Sequence, residues 1–333
     1  MTKAIALLSG GLDSILAVRL MREQGIDVEA LNFLTVFCNC TSKGKTCLAS
    51  KSAADQLGVK LKVFEISEEY LDIIKRPKHG YGRNMNPCLD CRILIFKKAG
   101  EYMKETGASF IITGEVLGER PMSQRMDAMM LIEKESGLDG LILRPLSAKL
   151  MEPSIPEKEG LVDREKLLEI KGRSRKPQIA LAKEFGINDY PCPAGGCLLT
   201  DIGFGNRMRD LLLHEPNFTL NDVQFLKTGR HFRLMPNAKL IVGRDEKENE
   251  RLGSLSKRGD LCFYPEDTNG PTGIGRGDFD KDLILRAAGI IARYSDKTGR
   301  DLLKIGYKKS GDEETSYVDA APIEDEHLTG LRL

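Results

Sequence analysis

The stretch Ser9-Gly10-Gly11-Leu12-Asp13-Ser14 decides the fold, because it joins the apolar run at 4–8 directly to a helical pattern. A strand that leads through a glycine turn into a helix aims backbone N–H groups at one point, where a polyanion binds well. The two glycines allow close backbone approach, and the serines add hydroxyl donors. An aspartate here would repel a bare phosphate, so we expect it to hold Mg²⁺ or to cap the loop. The predicted phosphate-binding residues are Ser9, Gly10, Gly11, Asp13 and Ser14.

Apolar runs and helical patterns alternate outward from this turn. The pattern predicts strands at 4–8, 28–36, 61–66, 109–113 and 141–143, and helices at 14–24, 47–57, 89–105 and 176–185. Such alternation indicates an α/β fold with a doubly wound, mostly parallel sheet that binds ligands at the carboxyl ends of its strands. Prolines after residue 144 break the rhythm. We therefore expect a nucleotide-binding domain at 1–160, a helical and cysteine-loop extension at 161–205 that completes the active site, and a second, α+β domain at 206–333.

Composition excludes several classes of protein. Of the 333 residues, 41% are hydrophobic and 30% are charged, which is ordinary globular usage. No apolar run approaches the roughly 20 residues that span a bilayer, so we expect no membrane partner and a cytoplasmic protein. Eight cysteines without a secretory signal favour metal, cluster or sulfur-transfer chemistry over disulfides. The sequence does not specify an oligomeric state.

Three motifs carry a resemblance to a known family. The first loop is similar to the SGGxDS pyrophosphate loop of the PP-loop ATP pyrophosphatase superfamily. The stretch 113–124 and the LRPL stretch 143–146 resemble segments of tRNA 4-thiouridine synthetases. Asn86–Arg92 resembles the cysteine-bearing segment of that family and of its tRNA 2-thiouridine relatives. The resemblance covers roughly residues 4–200.

The resemblance implies an ATP-dependent tRNA sulfurtransferase. Such an enzyme adenylates a uridine carbonyl, releases pyrophosphate and replaces the oxygen with sulfur from a donor that supplies sulfide or a persulfide. It implies ATP and Mg²⁺ at the first loop. Gly114 and Glu115 are expected to line the cleft, and Arg144 is expected to stabilise charge on the leaving phosphate.

Two cysteine pairs are candidates for the sulfur chemistry. Cys88 and Cys91 form CxxC at a helix start, which suits two ligands of one metal or cluster. Cys192 and Cys197 lie in a Pro/Gly loop that resembles the segment completing a three-cysteine iron-sulfur site in cluster-dependent tRNA thiolases. Either Cys88, Cys91 and Cys192 hold an open [4Fe-4S] cluster, or four cysteines close a zinc site, or the thiols are simply buried. We favour the cluster, because sulfur transfer needs an exchangeable position. The expected catalytic residues are Asp13, Cys88, Cys192 and Cys197.

The remaining cysteines are less informative. Cys38, Cys40 and Cys47 follow the second strand, where either a metal-binding or a structural role fits. Cys262 lies in an apolar strand and is expected in the core.

The C-terminal third resembles the NFACT RNA-binding domain of ribosome-quality-control proteins, in the stretches 243–252, 259–264 and 287–295. Residues 207–309 hold 20 Lys/Arg against 15 Asp/Glu, whereas 310–333 hold one Arg against seven acids, so the module is positive and the tail acidic. A positive module favours RNA phosphates as ligands, although a solvated charged face is the competing interpretation. The candidate RNA contacts are Lys239, Arg244, Lys247, Arg251, Lys257 and Arg258.

Two rival functions remain at this stage. A PP-loop synthetase acting on a small molecule would use the CxxC pairs for structural zinc. A non-catalytic RNA-binding adaptor would not need an intact SGGLDS loop. The N-terminal RNA-binding extension and the rhodanese domain of 4-thiouridine synthetases have no counterpart in this sequence, so we expect RNA recognition to differ from theirs.

Overall fold

The computed structural model describes residues 2–38, 47–190, 197–296 and 299–333, which form two compact units, 1–200 and 201–333. In the first unit the strands are β1 (Lys3–Leu7), β2 (Asp27–Leu34), β3 (Lys60–Glu65), β4 (Phe110–Thr113) and β5 (Ile142–Leu143). The helices are α1 (Leu12–Glu23), α2 (Cys47–Leu57), α3 (Ser67–Lys75), α4 (Cys88–Thr106), α5 (Met126–Ser136), α6 (Ile155–Lys158) and α7 (Lys176–Glu184). The predicted strands and helices are confirmed to within a few residues at their ends.

The five strands form a parallel sheet in the order β3-β2-β1-β4-β5. Both faces of β1 are buried, because Ala4 and Ala6 pack into the core that contains α1, whereas Ile5 packs into the core that contains α4. A strand covered on both faces reads as a continuous apolar run, which is why 4–8 identified it in the sequence. The chain crosses from β3 back to β4 on the other side of β1. The carboxyl ends of β1 and β4 are therefore neighbours at the point where strand order reverses, which is the usual ligand crevice of such sheets. The predicted α/β fold is confirmed.

The second unit is built on a different sheet. Its strands are β6 (Arg230–Met235), β7 (Ala238–Val242), β8 (Leu261–Pro265), β9 (Gly273–Gly277), β10 (Leu303–Lys309) and β11 (Ser316–Ala320), and they pair antiparallel in the order β11-β10-β8-β9-β7-β6. The helices are α8 (Ile202–His214), α9 (Leu220–Leu226), α10 (Glu246–Leu255), α11 (Lys281–Arg293) and α12 (Asp325–Leu328). The inner face of α11 packs into the same core as β8, β10 and β11, which gives an α+β unit. Within the described part of the chain, no helix is long and apolar enough to cross a membrane.

Candidate active site

The SGGLDS loop turns tightly at the carboxyl end of β1. Gly10 has a φ of +81°, and a Cβ there would lie 2.6 Å from the Ala49 carbonyl carbon, so only glycine fits against the start of α2. The Ser14 hydroxyl donates to the Gly11 carbonyl at 2.8 Å, and its oxygen lies 3.3 Å from that of Ser9. The loop therefore leads into the first turn of α1, whose N–H groups face the crevice.

A cavity of about 390 Å³ opens beside this loop. Its wall includes Ser9, Gly11, Asp13 and Ser14 from the loop, Asn32 and Phe33 from β2, and Gly114 and Glu115 from the end of β4. Arg92, Arg120 and Arg175 bring positive charge to the wall from three separate segments. Arg92 is paired with Glu115, so the glycine-turn N–H groups together with the guanidinium groups of Arg120 and Arg175 make a site for a polyphosphate.

Asp13 is the acidic group of the loop. Burial raises the pKa of this carboxyl, and the positive charge of Arg175 opposes the rise. The Oδ1 atom is buried and has no hydrogen-bond partner among the described residues. A buried carboxylate oxygen beside a polyphosphate site fits the oxygen ligand that Mg²⁺ requires.

Arg175 reaches the cavity because the chain from 161 to 175 returns to the sheet. Gly172 donates its N–H to the Leu117 carbonyl at 2.7 Å, and Ser147 Oγ bridges the same segments by accepting from Leu117 N and donating to the Ile170 carbonyl. Helix α7 begins at the next residue, so Arg175 is fixed at its start. The Arg175 Nε is buried without a hydrogen-bond partner among the described residues, which leaves a donor for a ligand.

Glu115 and Arg144 form the centre of a buried ion-pair network. Arg92 Nη2 lies 2.5 Å from Glu115 Oε1, and Arg144 Nε lies 3.0 Å from Glu115 Oε2. Arg144 also pairs with Glu133. Burial pushes the pKa of Glu115 up, but the two arginines outweigh it and leave the pKa below its ordinary value.

Arg144 lies behind the cavity rather than on its wall. Its side chain is 2% exposed and its guanidinium is turned toward Glu115 and Glu133. This position does not support the expected contact with a leaving phosphate, because the Arg144 guanidinium is already paired with two buried carboxylates. Arg120 and Arg175 lie on the wall instead, and the sequence interpretation gave neither of them a role there. The position of Arg120 inside the stretch 113–124, which resembles a segment of tRNA 4-thiouridine synthetases, was the available signal.

Four described thiols of the first unit come together from three segments of the chain. Cys88 and Cys91 open α4, Cys38 follows β2, and Cys197 precedes the 3₁₀ turn Leu198–Thr200. The turn is fastened on both sides, because Leu198 N donates to the Phe37 carbonyl at 3.1 Å and Met85 N donates to the Leu199 carbonyl at 3.1 Å. Cys38 is the member that the sequence did not assign.

Burial governs the acidity of these thiols. It raises the pKa of Cys91 to about 11, where Tyr70 and Arg92 oppose the rise and Cys88 and Cys38 add to it. Burial also raises the pKa of Cys197 strongly, and the charges of Cys91, Cys38 and Cys88 add to that rise. Such thiols stay neutral unless a cation stabilises the thiolate, as a coordinating metal does.

The structure describes only part of the predicted metal site. Cys192 lies outside the described residues. In the ranges that are described, no three Cys, His, Asp or Glu side chains have the arrangement of a metal site. Cys88 and Cys91 have the donor type, burial and helix position that a cluster or zinc requires, so the donor chemistry fits while the third ligand stays a prediction.

Arg92 joins the thiols to the phosphate cavity. It follows Cys91 directly in α4, lines the cavity and lowers the pKa of Cys91 through its charge. Burial raises the pKa of Cys88, and Arg120 and Arg92 oppose that rise. Two arginines on the cavity wall thus also act on Cys88.

The predicted RNA-binding residues of the second unit differ in their surroundings. Lys239 is 4% exposed and its Nζ donates to Asp210 at 2.9 Å, so the expectation that it contacts RNA is wrong. Arg244 pairs with Glu248 at 2.5 Å, and Arg251 donates to the Gln224 amide oxygen at 3.0 Å. Lys257 lies 3.6 Å from Asp222 and is half exposed, whereas Lys247 and Arg258 are exposed.

Comparisons with known proteins agree with this architecture. A family profile described as thiamine biosynthesis protein (ThiI) matches residues 1–152, and one described as NFACT protein RNA binding domain matches 229–331. The tRNA-specific 2-thiouridylase MnmA of Marinobacter nauticus is 31% identical over 309 residues, covering 86% of this chain and 70% of its own. A probable tRNA sulfurtransferase of Thermococcus kodakarensis is 28% identical over 149 residues, covering 43% of this chain and 36% of its own.

One solved structure, a 4-thiouridine synthetase–RNA complex with bound ATP, covers 68% of this chain and 52% of its own at 19% identity. Its TM-score of 0.41 is too low to establish a shared fold by itself. The extent and identity of the match to the 2-thiouridylase do establish kinship, and the profile matches agree with it. The chain belongs to the PP-loop family of tRNA thiouridine synthetases, and its residues 229–331 are similar to the NFACT protein RNA binding domain.

Proposed function

We propose that the protein is an ATP-dependent tRNA sulfurtransferase. The uridine carbonyl oxygen attacks the α-phosphorus of ATP and pyrophosphate leaves. Sulfur then attacks the activated carbon, and AMP leaves with the original oxygen. The observation that carries the proposal is the position of Arg92, which lines the phosphate cavity and lies one helical turn after Cys88 in α4. Adenylation and sulfur delivery must occur at one carbon, so the two sites have to adjoin.

The loop and two arginines would bind the triphosphate. N–H groups at Gly10 and Gly11 and the hydroxyls of Ser9 and Ser14 would hold the phosphates, while Arg120 and Arg175 balance their charge. Asp13 would hold Mg²⁺ through its buried Oδ1. Gly114 would serve indirectly, since it lets β4 approach the loop.

The cysteines would deliver sulfur. Cys88, Cys91 and Cys192 would hold a [4Fe-4S] cluster, which when bound offers an exchangeable iron for sulfide; zinc on the same thiols is the alternative. Cys197 would act as a second thiol nucleophile once a bound cation stabilises its thiolate, because burial raises the pKa of this thiol. Arg92 would balance the negative charge that develops near the reacting carbon, whether the donor supplies sulfide or a persulfide.

Three segments of the chain would divide the labour. Residues 1–160 would bind ATP, 161–205 would complete the site with Arg175 and the cysteine loop, and 206–333 would bind RNA. A cytoplasmic location is part of the same proposal.

Mass spectrometry of tRNA nucleosides from a deletion strain tests the function. One thiolated uridine should disappear and return on complementation with the natural gene, but not with Asp13→Ala. Asp55→Ala, on the exposed side of α2, is the matched control and should restore the nucleoside. An unchanged nucleoside profile, with zinc as the metal of the purified protein, would favour a synthetase that acts on a small molecule.

A further inference from the structure

The segment between α3 and α4 has an unusual charge. Residues 76–87 contain three Lys/Arg and no Asp or Glu, and the segment runs into Cys88 at the start of α4. Asn84 has a φ of +56°, and its side-chain amide donates to the Thr200 carbonyl at 2.7 Å, which holds the segment beside the 3₁₀ turn that follows Cys197. A basic segment held beside the candidate sulfur site is placed to meet a polyanionic substrate.

This segment lies along α5. At one end Lys78 and His79 lie 2.7 and 3.2 Å from Glu135. At the other end a Cβ on Gly82 would lie 2.9 Å from the methyl group of Met122, four residues before α5 begins. The segment is therefore held against α5 at Glu135 and against the turn before α5 at Met122.

Four large apolar side chains are exposed on this surface. Tyr81, Met122, Met126 and Met130 are 39%, 40%, 38% and 46% exposed. Met126 and Met130 are one turn apart on α5 and share a face, whereas Met122 lies in the turn before the helix, beside Gly82. The exposed basic residues of the same two stretches are Arg76, Lys78, Arg83 and Arg125. Clustered exposed apolar groups with a polar rim mark an interaction site.

We propose that this surface, the Tyr81–Met130 patch, binds the single-stranded RNA that flanks the target uridine. The proposal rests on the proposed function and names the surface that presents its substrate. An aromatic ring and flexible thioethers receive unstacked bases, and the basic rim receives their phosphates.

The location of the patch favours RNA over a protein partner. The loop that carries Met122 also carries Arg120 to the cavity, and the segment that carries Tyr81 ends at Cys88. An RNA strand bound on the patch would leave its next nucleotide between Arg120 and Cys88. Asp127 and Glu135 are paired with Arg125 and Lys78, so among the described ion pairs Arg76 and Arg83 are the basic side chains of this surface that no acid neutralises.

Ultraviolet cross-linking of tRNA to the full-length protein, followed by peptide mass spectrometry, tests the patch independently of catalysis. Cross-links are expected within 76–84 and 122–130. Tyr81→Ala and Arg83→Ala should remove them and lower kcat/KM for thiolation about tenfold, the loss of one stacked base or phosphate contact. ATP binding should not change. Lys104→Ala, at the opposite end of α4, is the matched control and should behave as the natural protein.

Cross-links confined to 201–333, with both variants thiolating normally, would overturn the proposal. Variants that retain RNA cross-links but lose sulfur delivery from a protein donor would assign the patch to that donor instead. If the protein thiolates no tRNA yet cross-links at the patch, the proposed function fails while the RNA-binding surface stands.

Discussion

Gly114 lies against the peptide that joins Asp13 to Ser14, so closely that a Cβ on Gly114 would stand 2.4 Å from the Ser14 nitrogen. The same atom would be 2.5 Å from the Asp13 carbonyl carbon. The end of β4 thus sets the position of the phosphate loop through backbone contact. The sequence predicts that Gly114 binds ATP. In the structure, its lack of a side chain is what allows β4 to approach the phosphate loop.

Gly114→Ala should therefore damage the loop. The methyl group forces the first turn of α1 away from β4, at a cost of about 1–3 kcal/mol in the free energy of unfolding. RNA-dependent pyrophosphate release should fall with it. Urea denaturation and a pyrophosphate assay check both effects. Gly253→Ala, in α10 with open space around its Cα, should be tolerated, and equal effects of the two changes would contradict the steric argument.

Arg144→Ala and Arg175→Ala should fail in different ways. Removal of Arg144 leaves Glu115 and Glu133 buried without their shared partner, which costs about 3–5 kcal/mol of stability. Removal of Arg175 takes a phosphate ligand from the cavity wall, so ATP affinity should fall about tenfold with little change in stability. Calorimetric ATP binding and urea denaturation separate the two. A stable Arg144→Ala protein with weak ATP binding would restore the direct phosphate role predicted from the sequence.

Alanine at Cys88, Cys91 or Cys192 should each eliminate bound iron and thiolation in anaerobic preparations, because an open cluster needs all three thiolates. Iron and labile sulfide analysis of the purified protein measures this. Cys262→Ala, in β8 of the other unit, is the control and should leave the iron content unchanged. Stoichiometric zinc without iron in anaerobic protein would show that the cluster hypothesis is wrong.

Stability should depend on pH through His231. Burial, helped by the charges of Lys239 and Arg207, holds the pKa of this imidazole well below its ordinary value. The unfolded chain therefore binds a proton below about pH 6.5 that the folded protein excludes, so stability falls as pH falls, by at most about 1.4 kcal/mol per pH unit. His231→Gln should reduce this slope between pH 6.5 and 5 in urea denaturation.

His327→Gln is the matched control for that slope, because His327 is exposed. The paired carboxyls of Asp210 and Asp222 have lowered pKa values, so the stability that they contribute is lost only at more acidic pH. They should not interfere in this window. A slope that His231→Gln leaves unchanged would show that the buried imidazole takes up no excess proton on unfolding.

Charge reversal in the second unit should weaken tRNA binding and flatten its salt dependence. Lys247→Glu with Arg258→Glu removes two exposed charges, so the log-log salt slope should decrease by about 1.5 if both contact phosphates. Arg244→Glu with Arg251→Glu should have a smaller effect, since both side chains already bond within the unit. Filter binding across a salt series measures the slopes. Unchanged salt slopes in both double variants would show that these charged side chains are solvated and do not contact RNA.

The alternation of apolar runs and helical patterns in the sequence determined the parallel sheet, because each strand covered on both faces must be continuously apolar. The SGGLDS loop likewise identified the crevice, since a glycine turn between a strand and a helix has few other uses. Each of these signals lies in a short stretch of sequence, so it can be recognised without knowing how the rest of the chain folds.

Only the tertiary structure decided which charges meet. Arg144, Glu115 and Glu133 are distant in sequence, and nothing in their spacing shows that they form one buried network while Arg120 and Arg175 line the cavity. The sequence predicts an exposed cation at Lys239, but β7 places this side chain beside Asp210, where it is buried. The grouping of Cys38 with Cys88, Cys91 and Cys197 has the same origin: burial and pairing are set by how sheet strands and their loops are ordered in space, and sequence distance does not encode that order.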